Sequence, residues 1–313
     1  MSVEAIDKRL RVYFGFSRMS HSVLDIGHSA VGALLTLGAF PPFPTMVIGF
    51  IAAFSGFTAV FALNDLMDYK VDTERIERYR RTFSNFDIDV LGVRHPIAQK
   101  MLTFPRGLSW VLFWGLLSLS GAYVLNPVCC LILVVAVSIE IVYCALLRVT
   151  HWKGLLSGAM VGIGALAGVF AVVKEPSWTF LSLLFLWAFG WEFGARNIPN
   201  DWTDLEEDIH LGIKTIPVRY GRSVSSRVSF LAICLTVLVS FFLPLSLSPA
   251  RAMFYEIGAV FAGAFFLIIP AWRWMKDQSM DSAMSLFNRA CTYPAVMLLV
   301  SGMSLFVRCH SRT

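Results

Sequence analysis

Apolar residues run along this chain in blocks of about twenty broken by short polar stretches, and block length, not alternation, carries the first prediction. A helix crossing a hydrocarbon core of roughly 30 Å needs about 20 predominantly apolar residues. On that measure nine spans are expected, over residues 23–40, 44–63, 108–125, 127–147, 155–173, 178–195, 228–247, 252–271 and 284–306. Asn126-Pro127 divides two of them at a tight hairpin, because proline cannot continue a helix. The expected fold is an all-α membrane protein, a bundle of nine transmembrane helices over residues 23–306 with a short tail at 307–313.

Ahead of the bundle, residues 1–22 read as an interfacial helix. Val3, Ile6, Leu10 and Tyr13 recur at helical spacing beside Lys8, Arg9 and Arg11, a face suited to lie on a membrane surface. No short apolar core followed by small residues marks a cleavable signal peptide.

Composition agrees with a bilayer setting: the 313 residues are 57% hydrophobic and 15% charged, outside the range of soluble domains. Most of the 26 Lys and Arg fall in the N-terminal segment and after the second, fourth, sixth and eighth spans. This bias orients an integral multi-pass protein with its N-terminus in the cytoplasm and its C-terminus outside. Basic cytoplasmic loops account for the net charge of +5, so no nucleic-acid partner is needed. The six cysteines form no metal spacing and read as small buried hydrophobes. None of the six histidines has ligand spacing, and none is assigned to a metal.

Against this background two acidic windows stand out, "NDLMDYKVD" after the second span and "NDWTDLEED" after the sixth. Four crossings lie between them, so both face one compartment, the cytoplasm by the charge bias. If the second span continues as helix, Asn64, Asp68 and Asp72 stack on one face with Asp65 adjoining; Asp201, Asp204 and Asp208, at i, i+3 and i+7, do the same in the second window. Like charges at this spacing repel, more strongly near low dielectric. Mg²⁺ suits such oxygen rows, since it is commonly held by one or two carboxylates plus substrate phosphates. Two facing rows would hold two ions bridged by a diphosphate. Ordinary solvated helix ends are the plainer reading of either row alone.

These residues resemble the UbiA-type intramembrane prenyltransferases. The family's NDxxDxxxD motif is matched at Asn64, Asp65, Asp68 and Asp72, and its DxxDxxxD motif at Asp201, Asp204 and Asp208, followed by "GIKTIPVRYG". A third element, Tyr-x-x-x-Lys-Arg-x-Thr, keeps Tyr143, Arg148 and Thr150 but has Leu147 for the lysine. The resemblance covers the whole chain. Where the family commonly has Arg-Pro-Leu soon after its first motif, this chain runs through "TERIERYRRTFSNFDIDVLGV" to His95-Pro96-Ile97. This suggests a longer cytoplasmic cap, with cap loops at 64–107 and 196–227.

The resemblance implies a bundle around a lipid-accessible cavity and a prenyl group passing from an allylic diphosphate to an aromatic or lipid acceptor. Asn64, Asp65, Asp68, Asp72, Asp201, Asp204 and Asp208 would hold Mg²⁺. Asp68, Asp72, Asp204, Asp208 and Arg148 would carry the ionisation step, and Tyr143, Arg94, Lys100 and Lys214 would contact the diphosphate. Further charges lie inside apolar runs: Glu192 and Arg196 are spaced to pair with each other, whereas Asp25, Glu140 and Glu256 have no partner legible in the sequence. Two other readings stand beside transfer: an intramembrane terpene cyclase, and a cation-coupled transporter, which predicts charges and broken helices at mid-membrane.

Overall fold

A computed structural model describes residues 3–79 and 92–307, and among these every regular element is helical. The expected cap stretch at 80–91 and the tail at 308–313 lie outside the described residues. A short helix α1 (Val3–Phe16) is followed by α2 (Met19–Leu37) and by α3 (Phe43–Tyr79), whose 37 residues extend about 55 Å at 1.5 Å per residue. That exceeds the hydrocarbon thickness by several turns, so one unbroken helix carries Asn64 to Asp72 beyond the apolar block, meeting the condition under which the three stack on one face.

Next come α4 (Phe104–Leu125) and α5 (Pro127–Ala145), joined at Asn126, whose side chain accepts the Val128 N–H while Pro127 occupies the first turn. There the missing proline N–H costs nothing. Then follow α6 (Lys153–Phe170), α7 (Trp178–Gly190), a π-helical segment (Trp191–Asn197), α8 (Ile198–Thr203) and α9 (Leu205–Leu211). The chain ends in α10 (Ile216–Phe241), α11 (Pro249–Gly263), a second π segment (Ala264–Ile268), α12 (Ile269–Asp277) and α13 (Met280–Leu305). Each π segment runs directly into a proline-bearing turn, at Pro199 and Pro270. A residue that cannot donate to the helical ladder is accommodated by widening the turn before it.

Seven helices are long and apolar enough to cross a membrane: α3, α4, α5, α6, α10, the α11–α12 unit and α13. The other two expected spans correspond to α2, which carries His21, Asp25 and His28, and to α7, whose 13 residues end at the π segment.

The core is built on α7 and the π segment that follows it. Leu184, Trp187 and Trp191 are fully buried, with Trp187 Nε1 donating to Tyr293 Oη at 3.2 Å and Trp191 Nε1 to the Ala290 carbonyl at 2.8 Å. Satisfying the indole N–H is what lets so large a ring stay buried. A smaller cluster ties α1 to the cap: Val12 and Phe16 pack with Leu66, Ile97 and Leu102. Leu10, assigned to the apolar face of α1, is 65% exposed. Outward positions of α4, α5 and α10, such as Leu112, Leu116, Leu131, Leu231 and Leu235, are apolar and exposed, the surface a lipid-facing bundle presents.

Candidate active site

At the end of α3 bearing the acidic row, α2, α3, α5, α6 and the segment after α7 enclose a polar cavity of ≈150 Å³. Asn64, Asp68 and Asp72 reach it from one side, and Asp201 and Asp204 from the other. Sequence spacing put the latter two on a helix with Asp208. The structure corrects this: the helix breaks at Asp204 (φ −98°, ψ 6°), between α8 and α9. What gathers the second group is a cation from the first row's helix. Arg75 lies 3.7 Å from Asp204, 3.5 Å from Glu207 and 3.0 Å from Asp208. Burial and the neighbouring Asp201 and Asp204 carboxylates push the Asp208 pKa up to about 8 against the pull of Arg75. Asp201 is raised by burial too, opposed by Lys153.

The first group is closed by His95, which no sequence spacing marked. Its Nδ1 stands 2.9 Å from Asp65 Oδ1 and 2.8 Å from Asp72 Oδ2. Burial alone would depress the imidazolium, but Asp72 and Asp65 outweigh it and hold the pKa up at about 9. The side chain arrives there from a turn in which His95 itself has φ 50° and its carbonyl accepts the Gln99 N–H at 3.0 Å. Left-handed backbone at a non-glycine residue is uncommon and held by surrounding contacts.

The carboxylates fit a divalent cation: Asp68, Asp72, Asp201 and Asp204 line the chamber and offer the oxygen atoms such an ion takes. Beside them Asp65, Asp72 and His95 bring polar atoms within 4.8 Å of one another, with His95 as the positive partner rather than a ligand, and Asp65 Oδ2 is buried without a hydrogen-bond partner. Asn64 is turned by Glu140, to which its Nδ2 donates at 2.8 Å.

Of the cations expected near a diphosphate, the structure brings none to the cavity wall. Arg148 is half exposed and bonded to Glu74 at 2.6 Å. Lys214 donates to the Val149 carbonyl at 3.0 Å, and Arg94 and Lys100 sit in the turn around His95. Tyr143 is on the wall, and its partner there is Lys153, whose Nζ donates to the Tyr143 hydroxyl at 3.1 Å and lies 3.9 Å from Asp201. Lys153 is 2% exposed. Arg18 and Arg196 complete the basic side of the wall. None of Arg75, Lys153 and Arg18 was identified from the sequence: Arg75 carried a signal in its i+3 spacing from Asp72 on one helix, whereas Lys153 and Arg18 carried none, because only tertiary packing turns them inward.

A second cavity, apolar and ≈630 Å³, lies between α2, α3, α5, α6 and α13. It shares Val60, Phe61, Met160 and Arg196 with the polar one and extends to Phe40 and Phe306 at the opposite end of the bundle. A polar chamber lined by carboxylates and cations thus adjoins an apolar channel of a size that holds small ligands, the two sharing a wall at Arg196.

Three relatives share this chain's sequence pattern. A "4-hydroxybenzoate polyprenyltransferase, mitochondrial" of Dictyostelium discoideum is 25% identical over 71% of this chain, which spans only 44% of that protein. A "Protoheme IX farnesyltransferase" of Bordetella parapertussis is 24% identical over 92% of both chains. A "Digeranylgeranylglyceryl phosphate synthase" of Thermococcus sibiricus is 26% identical over 67% of this chain and 68% of its own. Among solved structures, an apo UbiA homolog from Aeropyrum pernix K1 superposes with TM-score 0.68 at 17% identity, covering 91% of this chain and 99% of that one. A UbiA homolog from Archaeoglobus fulgidus bound to DMAPP and Mg²⁺ gives TM-score 0.66 at 18% identity, over 95% and 99%. Such likeness carries the fold, and residues 27–292 match the model of one family along most of the chain: the protein belongs to the UbiA prenyltransferase family.

Proposed function

We propose that the protein transfers a prenyl group from an allylic diphosphate to an aromatic or lipid acceptor, with Mg²⁺ as cofactor. The observation that carries this reading is the adjacency of the two cavities: charge on one side of Arg196, an apolar channel on the other. An allylic diphosphate has that same division. The similar structure bound to DMAPP and Mg²⁺ supports it.

The hard step is breaking the allylic carbon–oxygen bond, during which negative charge grows on the leaving oxygen. Mg²⁺ bound among Asp68, Asp72, Asp201 and Asp204, with Asp65 and His95 beside them, would neutralise that charge. Lys153, Arg18 and Arg75 line the chamber and would meet the diphosphate with fixed positive charge, which acts strongly in a site shielded from water. Tyr143 holds the Lys153 ammonium both through its hydroxyl and through its ring face, 4.6 Å away. The prenyl chain lies along the channel, whose lining includes Phe57 and Phe61; aromatic side chains stabilise a cation without reacting with it.

In this reading α2, and α7 with the turns after it, also cross the bilayer, giving nine spans within residues 23–306. The α1 segment lies at the cytoplasmic surface beside the site, and the channel's exposed rim, Phe50 and Met303, opens to lipid. A second reading keeps ionisation and drops the acceptor. It is favoured by the channel wall, where the charged side chains are Asp25 and Arg196, bonded to each other; such a wall suits cyclisation of the prenyl chain itself.

The test is a membrane assay with radiolabelled allylic diphosphates of several lengths, with and without Mg²⁺, against aromatic and lipid acceptors. Mg²⁺-dependent label transfer is the expected result. A cyclic hydrocarbon formed without acceptor selects the cyclase, and absence of any diphosphate release rejects both.

A further inference from the structure

Where the chamber meets the channel, α2 and the π segment after α7 bring three charged side chains together. Arg196 Nη1 donates to Asp25 Oδ2 at 2.6 Å, and its Nε lies 3.3 Å from Glu192 Oε2. The guanidinium also sits over two aromatic faces, 5.2 Å from the Trp191 centroid and 5.5 Å from that of Phe61. Buried arginine is suited to this position, since its planar fork serves two carboxylates and a ring at once.

The two carboxylates are not equivalent. Glu192 lines the polar chamber; its Oε1 accepts the Ser157 hydroxyl at 2.6 Å, and its Oε2, 3.3 Å from Arg196 Nε, is buried without a hydrogen bond of its own, so what separates the two carboxylates is the cavity each one lines. Asp25 lines the apolar channel; it is 1% exposed, and its Oδ1 is buried with no hydrogen-bond partner. A carboxylate oxygen without a donor in apolar surroundings raises the free energy of the protein. Ionisable side chains at such depth are functional candidates on physical grounds. Neither acidic row nor any of the cations assigned above uses this oxygen.

We propose that Asp25 is the base that removes the proton ending the reaction, an inference that rests on the ionisation chemistry proposed above. The allylic carbon–oxygen bond breaks, and its electron pair leaves with the diphosphate. Electrons of the acceptor, or of a distal double bond in the same chain, form the new bond to carbon. The carbon or oxygen left positive then gives up a hydrogen, the bonding pair stays with the product, and the proton goes to Oδ1 of Asp25. Arg196 fixes the carboxylate through the other oxygen. Glu192 remains as counter-charge to Arg196 once Asp25 is neutral, so proton transfer strands no isolated cation in the bundle. The base acts on the channel side of Arg196, where the carbocation is, while the leaving group is held on the other.

The experiment compares wild type, Asp25→Asn, Asp25→Glu and Arg196→Lys in membranes at matched abundance, with a radiolabelled allylic diphosphate, Mg²⁺ and the acceptor selected by the panel above, or none if cyclisation is found. Two quantities are read: diphosphate release, and the ratio of deprotonated product to prenyl alcohol formed when water captures the cation. In Asp25→Asn the ratio is expected to fall about a hundredfold, the scale of a lost general base. Asp25→Glu restores most of it, and Arg196→Lys, which keeps the charge but loses the fork, falls between. A merely structural ion pair would lower total turnover and leave the ratio alone. An unchanged ratio in Asp25→Asn and Arg196→Lys therefore overturns the proposal, as does loss of diphosphate release in an inserted Asp25→Asn protein. If Asp25→Asn fails to accumulate, the Arg196→Lys ratio decides. Absent diphosphate release in wild type rejects the proposed function instead, so the two failures are distinguishable.

Discussion

Arg75, three residues beyond the last aspartate of the first acidic row, sets its Nη2 3.0 Å from Oδ1 of Asp208 in the second. The two rows are therefore joined by a side chain of one of them, and the second row is assembled by a guanidinium that no motif contains. Replacing Arg75 with Met leaves Asp204, Glu207 and Asp208 facing one another. Removing one partner of a buried charge cluster typically costs about 3–5 kcal/mol, so the detergent-solubilised variant is expected to melt well below wild type. Mg²⁺ is expected to recover part of the loss by supplying the missing positive charge. A melting temperature equal to wild type and indifferent to Mg²⁺ would contradict this.

Asp68→Ala and Asp208→Ala are each expected to lower Mg²⁺-dependent diphosphate release by about a hundredfold or more, the scale of losing a preorganised electrostatic partner, with normal amounts of protein in the membrane. Near-normal release in either variant removes that residue from the site.

Lys153 and Arg148 give a ranking. Lys153 is buried in the chamber, whereas Arg148 is solvent-facing and bonded to Glu74. Charge acts more strongly where water is excluded. Lys153→Met is therefore expected to reduce diphosphate release far more than Arg148→Ala, measured as kcat/KM on one allylic diphosphate. The reverse order places the leaving group at the rim.

Channel length can be altered without clash. Gly49 and Gly164 line the channel, and a Cβ at either meets nothing within 4 Å. Gly49→Leu and Gly164→Leu are expected to shift preference toward shorter allylic diphosphates, read from competition between chain lengths. Equal preference in both variants argues against the channel as the prenyl site.

Gly168 is the contrasting case. A Cβ there would strike the Ser29 carbonyl, because α2 and α6 approach backbone to backbone. Overpacking of this kind costs about 1–3 kcal/mol, so Gly168→Val is expected to lower thermal stability, with Gly164→Leu as the tolerated neighbour.

The hydrophobic blocks determined much by themselves. Each of the nine expected blocks overlaps a helix, because block length and helical rise are local quantities, although seven helices among the described residues are long and apolar enough to span; the two acidic rows were legible because each sits within one short stretch. That Asn64, Asp68 and Asp72 share one face followed from spacing once the helix continues, and the continuation itself is what the structure supplied. The partners did not follow. His95 is brought to Asp65 by a turn with left-handed backbone at a histidine, and Arg196 finds Asp25 across the bundle. Spacing placed Asp201, Asp204 and Asp208 on one helix; a break at Asp204 and the reach of Arg75 replaced that geometry. Spans and rows are set by neighbouring residues along the chain. Which cation meets which carboxylate, and where an apolar channel ends, depend on how helices distant in sequence pack, a choice made by shape and desolvation across the whole bundle.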